Sequence, residues 1–150
     1  NNAMRGGLTE VRVVPAGLVP RVAKFPSLPG PGFEPVESEA FRSRMPGPGQ
    51  PCRFTAWADS QGGWSTFATL VDRLAAIDQH FSVGVGDLVD DGSSPEAWRA
   101  FLDTARPLAA RTPLVAIAGN HDYDGFYNDL RARPYLDLFR PGGAAPWFAW

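Results

Sequence analysis

Three short apolar segments, separated by two amphipathic ones, constrain the fold of this chain more than any other feature of its sequence. Residues 53–58, 82–86 and 113–119 have the length and composition of buried strands. Between them, apolar residues recur at steps of three and four over residues 64–81, and a second helix is expected to begin at Ser94. This order, βαβαβ, predicts parallel neighbouring strands in an α/β fold.

The second predicted helix has recognisable signals at both ends. Ser94 is expected to cap its first turn, and Pro95 fits the first helical position, where no amide hydrogen is needed. Pro107 is expected to end or kink this helix, because proline removes an internal hydrogen bond. His80 lies near the end of the first predicted helix and is expected to be structural or solvent-facing.

The first third of the chain has a different composition. Nine of the fifteen prolines lie between Pro15 and Pro51, which disfavours helices and interrupts strands. Short β-like pieces are predicted at residues 11–14, 21–25 and 39–43. Residues 1–50 are therefore interpreted as a Pro/Gly-rich β-type lead-in, either the tail of a β-sandwich module or a strand-and-loop segment, before an α/β domain over residues 51–150.

The overall charge narrows the range of partners. The formal net charge is −2, and no cluster of Lys and Arg occurs, so an extended surface for nucleic acid is not expected. No apolar run approaches the roughly 18 residues of a membrane span, so no transmembrane segment is predicted. A phosphate ligand would therefore need another source of positive charge.

Polar side chains follow each of the three predicted strands. Asp59 and Gln61 follow the first, Asp87 the second, and Asn120 and His121 the third. Because the carboxyl ends of parallel strands lie along one edge of a sheet, these residues are expected to meet in space. Taken singly, such residues are also typical of turns and helix caps. Their occurrence at three successive strand ends favours a site for a divalent metal ion such as Mn, Fe or Zn.

The three strand ends, "WADSQ", "VGVGDLVDDG" and "AIAGNHDYDG", together resemble the calcineurin-like metallophosphoesterases. The pattern of that family is D-x-H, then GD with a following acidic residue, then GNH followed by D or E. The resemblance implies a sandwich of two β-sheets flanked by helices, of which this chain would supply the first half. Residues 135–150 and the proline-rich lead-in are similar to the purple-acid-phosphatase-like branch, whose frequent secretion favours a secreted or periplasmic location.

The resemblance also implies a role for each matching residue. Asp59 would bind the first of two divalent metals, Asp87 would bridge both, and Asn120 would bind the second. His121 would face the leaving-group oxygen and would be oriented by Asp122. The implied reaction is the hydrolysis of a phosphate mono- or diester by a metal-bridging hydroxide. The substrate would be a phosphorylated small molecule or a nucleotide.

Two departures from the family pattern keep alternatives open. Gln61 stands where the family often has histidine, and it would ligate a metal through its oxygen, hold a metal-bound water or cap the turn. The later histidines of the family, including a GHxH block, are absent, because His80 and His121 are the only histidines. A longer chain is the preferred explanation, so that a missing C-terminal segment or a partner chain completes the site and this piece alone is inactive.

The main alternative is a non-catalytic phosphate- or metal-binding module on the same scaffold with an incomplete site. Gln61 and the missing histidines favour that alternative, whereas the intact GNHD block favours a phosphoesterase, because a binding module needs no oriented acid. A purely structural α/β domain with polar turns is the third interpretation.

Overall fold

The computed structural model describes residue 33, residues 39–123 and residues 133–139. Within these ranges, helices and strands alternate after the first helix, as the sequence predicts. The elements are α1 (Glu39–Arg42), β1 (Phe54–Trp57), α2 (Trp64–Ala75), β2 (Phe81–Val85), α3 (Pro95–Ala109), β3 (Leu114–Ile117) and α4 (Arg133–Phe139). None of the described helices is long and apolar enough to cross a membrane.

The three strands form one parallel sheet in the order β1-β2-β3. Phe54 lies opposite Phe81 at one end of the first pair, and Val85 lies opposite Ile117 at the other end of the second pair. The predicted parallel βαβαβ arrangement is therefore confirmed. Because all strands run in the same direction, the loops that follow them leave the sheet at a common edge.

The main apolar core lies between one face of this sheet and helices α2, α3 and α4. The rings of Trp57, Phe67 and Phe101 contact one another, with centroids 4.8 Å apart for the first pair and 5.8 Å for the second. Ser82 is fully buried on the same face, and its Oγ accepts a hydrogen bond from Nε1 of Trp57 at 3.1 Å. These contacts hold β1 and β2 in a fixed relation to the helices.

Helix α3 begins as predicted and continues past Pro107. The Oγ of Ser94 accepts a hydrogen bond from the amide of Ala97 at 3.1 Å, and Pro95 occupies the first position. Pro107 does not end the helix, which continues to Ala109. Leu108 and Ala109 are buried in the core, and that burial offsets the single hydrogen bond that proline removes.

Helix α2 ends earlier than its sequence pattern predicts. The periodic residues continue to Phe81, but the helix ends at Ala75, and Phe81 is the first residue of β2. The carbonyl oxygen of Leu74 accepts hydrogen bonds from the amide of Ile77 at 3.1 Å and from Nε2 of Gln79 at 2.9 Å, so the chain is tied down just past the end of the helix. Ile77 is 48% exposed, so the extended periodicity of the sequence does not correspond to a buried helical face.

The opposite face of the sheet carries a smaller apolar cluster that includes Phe41 of α1 and Phe81 of β2. The β-like prediction for residues 39–43 is wrong, because Glu39–Arg42 is helical and the amide of Ser43 donates to the carbonyl oxygen of Glu39 at 2.8 Å. Five residues are too few for periodicity to separate helix from strand. The β-like pieces predicted at residues 11–14 and 21–25 lie outside the described residues.

This opposite face is only partly covered in the part of the chain that the structure describes. Phe54 is 56% exposed and Val85 is 48% exposed, although both lie in strands. A parallel sheet is normally covered on both faces. The open face is therefore consistent with half of a metallophosphoesterase sandwich. The division of the chain into two parts near residue 51 stays a prediction.

Candidate metal and catalytic site

Hydrogen bonds between backbone groups connect the three loops at the carboxyl edge of the sheet. The amide of Asp59 donates to the carbonyl oxygen of Gly86 at 3.2 Å, which joins the loop after β1 to the loop after β2. The amide of Gly92 donates to the carbonyl oxygen of His121 at 2.7 Å, which joins the loop after β2 to the loop after β3. The predicted convergence of the three strand ends is thus present in the structure.

Asp59 and Asp87 share an unusual backbone conformation. Among the described residues they are the non-glycine residues with positive φ, at 54° and 51°. This left-handed conformation costs an ordinary L-residue about 1–2 kcal/mol, although aspartate tolerates it better than most. Strained residues of this kind concentrate at functional sites, where the surrounding structure holds them in place. Both residues are predicted metal ligands, and each follows the end of its strand after one intervening residue.

The loops after β2 and β3 approach each other closely at Asp87. Its Oδ1 accepts a hydrogen bond from the amide of His121 at 3.0 Å. A Cβ atom at Gly119 would overlap both the backbone nitrogen and the Oδ1 of Asp87. Glycine is therefore required at position 119, because any side chain there would push the two loops apart.

The carboxylate of Asp122 joins the same two loops from the inside. Its Oδ1 accepts hydrogen bonds from the amides of Leu88 at 2.9 Å and Val89 at 3.1 Å, and its Oδ2 accepts one from the amide of Gly119 at 2.8 Å. The residue is completely buried. Burial raises the pKa of Asp122 to about 6, against the lowering effect of the three amides, and the charge of Asp87 adds to the rise.

His121 is oriented by a group that the sequence pattern does not reveal. Its Nδ1 lies 3.0 Å from the carbonyl oxygen of Asp90. Because a carbonyl oxygen only accepts hydrogen bonds, this contact places a proton on Nδ1. Asp90 thus makes an orienting contact that the resemblance does not name, while the carboxylate of Asp122 accepts hydrogen bonds from backbone amides. The orientation of His121 by Asp122 stays a prediction. No pattern of side chains could have indicated a backbone carbonyl.

Asp90 has a second contact, which connects the loop after β2 to the loop after β1. Its Oδ2 accepts a hydrogen bond from the amide of Gly62 at 3.0 Å. Sequence reasoning assigned no role to Asp90, although the acidic residue that follows GD in the family pattern is a signal that could have indicated one. Through its carbonyl and its carboxylate, Asp90 contacts both of the other strand-end loops.

The remaining predicted ligands differ in their surroundings. Asn120 is exposed in the loop after β3. Oε1 of Gln61 is buried and has no hydrogen-bond partner among the described residues.

His80 lies away from this edge, and its Nδ1 accepts a hydrogen bond from the amide of Arg53 at 3.1 Å, in keeping with the structural role that the sequence predicts.

The donor set at this edge consists mainly of oxygen atoms. Within the described residues, no three side chains of His, Cys, Asp or Glu are grouped so that they could hold a metal ion. In this part of the chain, the carboxylates of Asp59 and Asp87 would therefore depend on amide oxygens to complete a metal site. Gln61 and Asn120 are the predicted ligands that carry such oxygens.

A comparison with known families agrees with this geometry. The sequence model described as calcineurin-like phosphoesterase matches residues 52–150, a range that contains all three strand-end loops. The chain belongs to the calcineurin-like phosphoesterase family. None of the curated proteins searched matches it. Membership in this family supports phosphoester hydrolysis at a metal centre, and the parallel sheet with its flanking helices is part of the metallophosphoesterase fold.

The strained backbone of this calcineurin-like phosphoesterase can be tested at Asp59. Replacement by glycine should give a metal-free protein about 1–2 kcal/mol more stable than replacement by alanine, because alanine resists a φ of 54° and glycine does not. Urea unfolding of both variants measures the difference. Asp72, exposed within α2, is the matched control. At that position the alanine variant should be about 1 kcal/mol more stable than the glycine variant. Equal stabilities at position 59 would show that Asp59 is not held in this conformation.

The buried carboxyl of Asp122 predicts a pH dependence of stability in the metal-free phosphoesterase. Its pKa is about 6 in the folded protein and 3.8 for the free residue, so the folded state binds this proton more tightly. Below pH 3.8, protonated Asp122 adds about 3 kcal/mol to the free energy of unfolding. This stabilisation is lost as the pH rises through 6.

Urea unfolding of wild type and of Asp122→Asn between pH 4 and pH 7 tests this assignment. The variant should lose this part of the pH dependence. At pH 4 it should also be about 1–3 kcal/mol less stable, because an amide group cannot accept all three backbone hydrogen bonds. Asp103→Asn, at an exposed position of α3, should keep the wild-type dependence. An unchanged dependence in Asp122→Asn would contradict the raised pKa.

Proposed function

We propose that this calcineurin-like phosphoesterase hydrolyses a phosphate mono- or diester at the edge formed by its three strand-end loops. The observation that carries the proposal is the pair of aspartates, Asp59 and Asp87, held with positive φ at adjacent strand ends whose loops are hydrogen-bonded to each other. A turn that served only to reverse the chain would not need a strained aspartate on both strands.

The residues at this edge fit divalent metal ions in their chemistry. Carboxylate and amide oxygens are suitable ligands for hard cations, and the buried, unpaired Oε1 of Gln61 is an acceptor that a cation would satisfy. Asp59 and Asn120 would each hold one of two ions of Mn, Fe or Zn, and Asp87 would contact both. Bound divalent ions would supply the activated water and the positive charge that a phosphate ester needs.

His121 is the proposed general acid. Because Nδ1 donates its own proton to the carbonyl oxygen of Asp90, Nε2 carries a proton only in the imidazolium form of the ring. The same contact fixes the plane of the ring, so this Nε2 proton has a defined direction. In that orientation the ring would donate this proton to the leaving-group oxygen, a step that typically contributes 10²–10⁴-fold to the rate.

Asp122 supports this arrangement without touching the substrate. By accepting hydrogen bonds from the amides of Leu88, Val89 and Gly119, it keeps the loops after β2 and β3 in register. The amide of His121 consequently stays 3.0 Å from Oδ1 of Asp87. Asp122 therefore helps to hold the proposed acid, His121, at a fixed distance from the proposed metal-bridging carboxylate of Asp87.

The proposed substrate is a phosphorylated small molecule or a nucleotide. The formal charge of −2 and the absence of a Lys/Arg cluster from the sequence do not favour an extended nucleic acid. Similarity of residues 135–150 to the connector of the purple-acid-phosphatase-like branch supports a proposed place in that branch. It also supports the proposal that a further C-terminal segment or a partner chain completes the metal shell.

A second candidate function is a phosphate- or metal-binding module without catalysis. It is favoured by the lack, among the described residues, of three His, Cys, Asp or Glu side chains grouped for a metal ion. The fixed orientation of His121 favours the enzyme instead, because binding alone does not require a positioned proton donor.

Variants at positions 87 and 121 separate these two functions. In the full chain, Asp87→Ala should abolish both hydrolysis of p-nitrophenyl phosphate or its diester and retention of metal, because it removes the shared ligand. His121→Ala should lower kcat about 10²–10⁴-fold with metal retained, because it removes only the acid. His80→Ala is the control, since this histidine contacts the backbone of Arg53, and it should keep activity and metal.

Turnover by Asp87→Ala at the wild-type rate would contradict the bridging role. Loss of metal from His121→Ala would make His121 a ligand rather than an acid. Wild-type protein that binds metal but hydrolyses neither ester would favour the binding module.

A further inference from the structure

The side-chain amide of Gln61 contains an acceptor that the described chain leaves unsatisfied. Oε1 is buried from solvent and has no hydrogen-bond partner among the described residues. A buried polar atom in this state is unfavourable, and folded proteins contain few of them. An atom of this kind at a candidate site indicates a partner that the described residues do not provide.

The position of Gln61 limits what that partner can be. The backbone amide of Gln61 donates to the carbonyl oxygen of Asp87 at 3.4 Å. The next backbone amide, that of Gly62, donates to Oδ2 of Asp90 at 3.0 Å. The backbone of this turn is therefore attached to the loop after β2 on both sides of the side chain. Asp59, with its positive φ, lies two residues before Gln61 in the same turn.

The charges around this turn are negative. Asp59, Asp87 and Asp90 lie in the turn or in the loop to which it is hydrogen-bonded. A buried acceptor in a negatively charged region is unfavourable unless a cation or a hydrogen-bond donor satisfies it. A divalent cation satisfies the amide oxygen and the carboxylates at the same time.

We infer that Oε1 of Gln61 is a metal ligand and that it lowers the preference of the site for Zn²⁺ over Mn²⁺, relative to a histidine at the same position. The inference rests on the proposed function, because it assigns Gln61 to the same metal site as Asp59 and Asp87. An amide oxygen is a hard, neutral donor that suits Mn²⁺, whereas Zn²⁺ gains more from an imidazole nitrogen or a thiolate. Glutamine in place of the histidine of the D-x-H pattern thus shifts the selectivity of the site towards Mn²⁺.

Titration calorimetry of the metal-free full chain with Mn²⁺ and with Zn²⁺ tests the inference without measuring activity. Gln61→Leu should raise the Kd for Mn²⁺ at least about tenfold, because it removes the oxygen and keeps a similar volume. Gln61→His should shift the ratio of the two Kd values towards Zn²⁺ at least about tenfold. Gln50→Leu, at an exposed position outside the strand-end loops, is the matched control and should change neither Kd.

The stability of the metal-free protein separates a ligand from a structural residue. If Gln61 is a ligand, Gln61→Leu should leave the free energy of unfolding unchanged or raise it, because the variant removes an unpaired buried acceptor. A lower stability together with unchanged Kd values would show that Gln61 serves the turn, which overturns the inference. Unchanged Kd values for Gln61→Leu beside metal loss in Asp87→Ala would do the same and leave the proposed function intact. A wild-type chain that binds neither metal would overturn both proposals.

Discussion

The carboxylate of Asp122 is the interaction on which the geometry of the candidate site depends. It is completely buried, and it accepts hydrogen bonds from three backbone amides that belong to two different strand-end loops. Hydrogen bonds to a charged acceptor are stronger than those between neutral groups. Because the loops after β2 and β3 share this acceptor, Asp87 and His121 are placed in contact with each other, although they are 34 positions apart in the sequence.

This arrangement carries energetic costs that the rest of the fold has to offset. Burial of Asp122 raises its pKa, and both Asp59 and Asp87 have positive φ. The compensation comes from the core between the sheet and helices α2, α3 and α4, where aromatic rings pack against Trp57. A well-packed core beside a strained edge is typical of proteins whose functional sites are stabilised from elsewhere in the structure.

The sequence was sufficient to predict the features that repeat or follow local rules. The strands, their parallel order and the Ser94 cap of α3 were predictable because apolar periodicity and capping act over a few residues. The end of α2 was not, because the apolar periodicity runs on to Phe81, which belongs to β2 instead of the helix. Likewise, the convergence of the strand ends follows from topology, whereas the carbonyl of Asp90 that orients His121 is invisible to any side-chain pattern.

We propose that the three strand-end loops of this calcineurin-like phosphoesterase form one metal site. Metal content per chain is the measurement that decides this, by plasma mass spectrometry on the full protein. Close to two equivalents of Mn, Fe or Zn are expected for each chain. Protein that contains no metal, and that takes up none after incubation with Mn²⁺ or Zn²⁺, would contradict it and would leave the strained aspartates without a function.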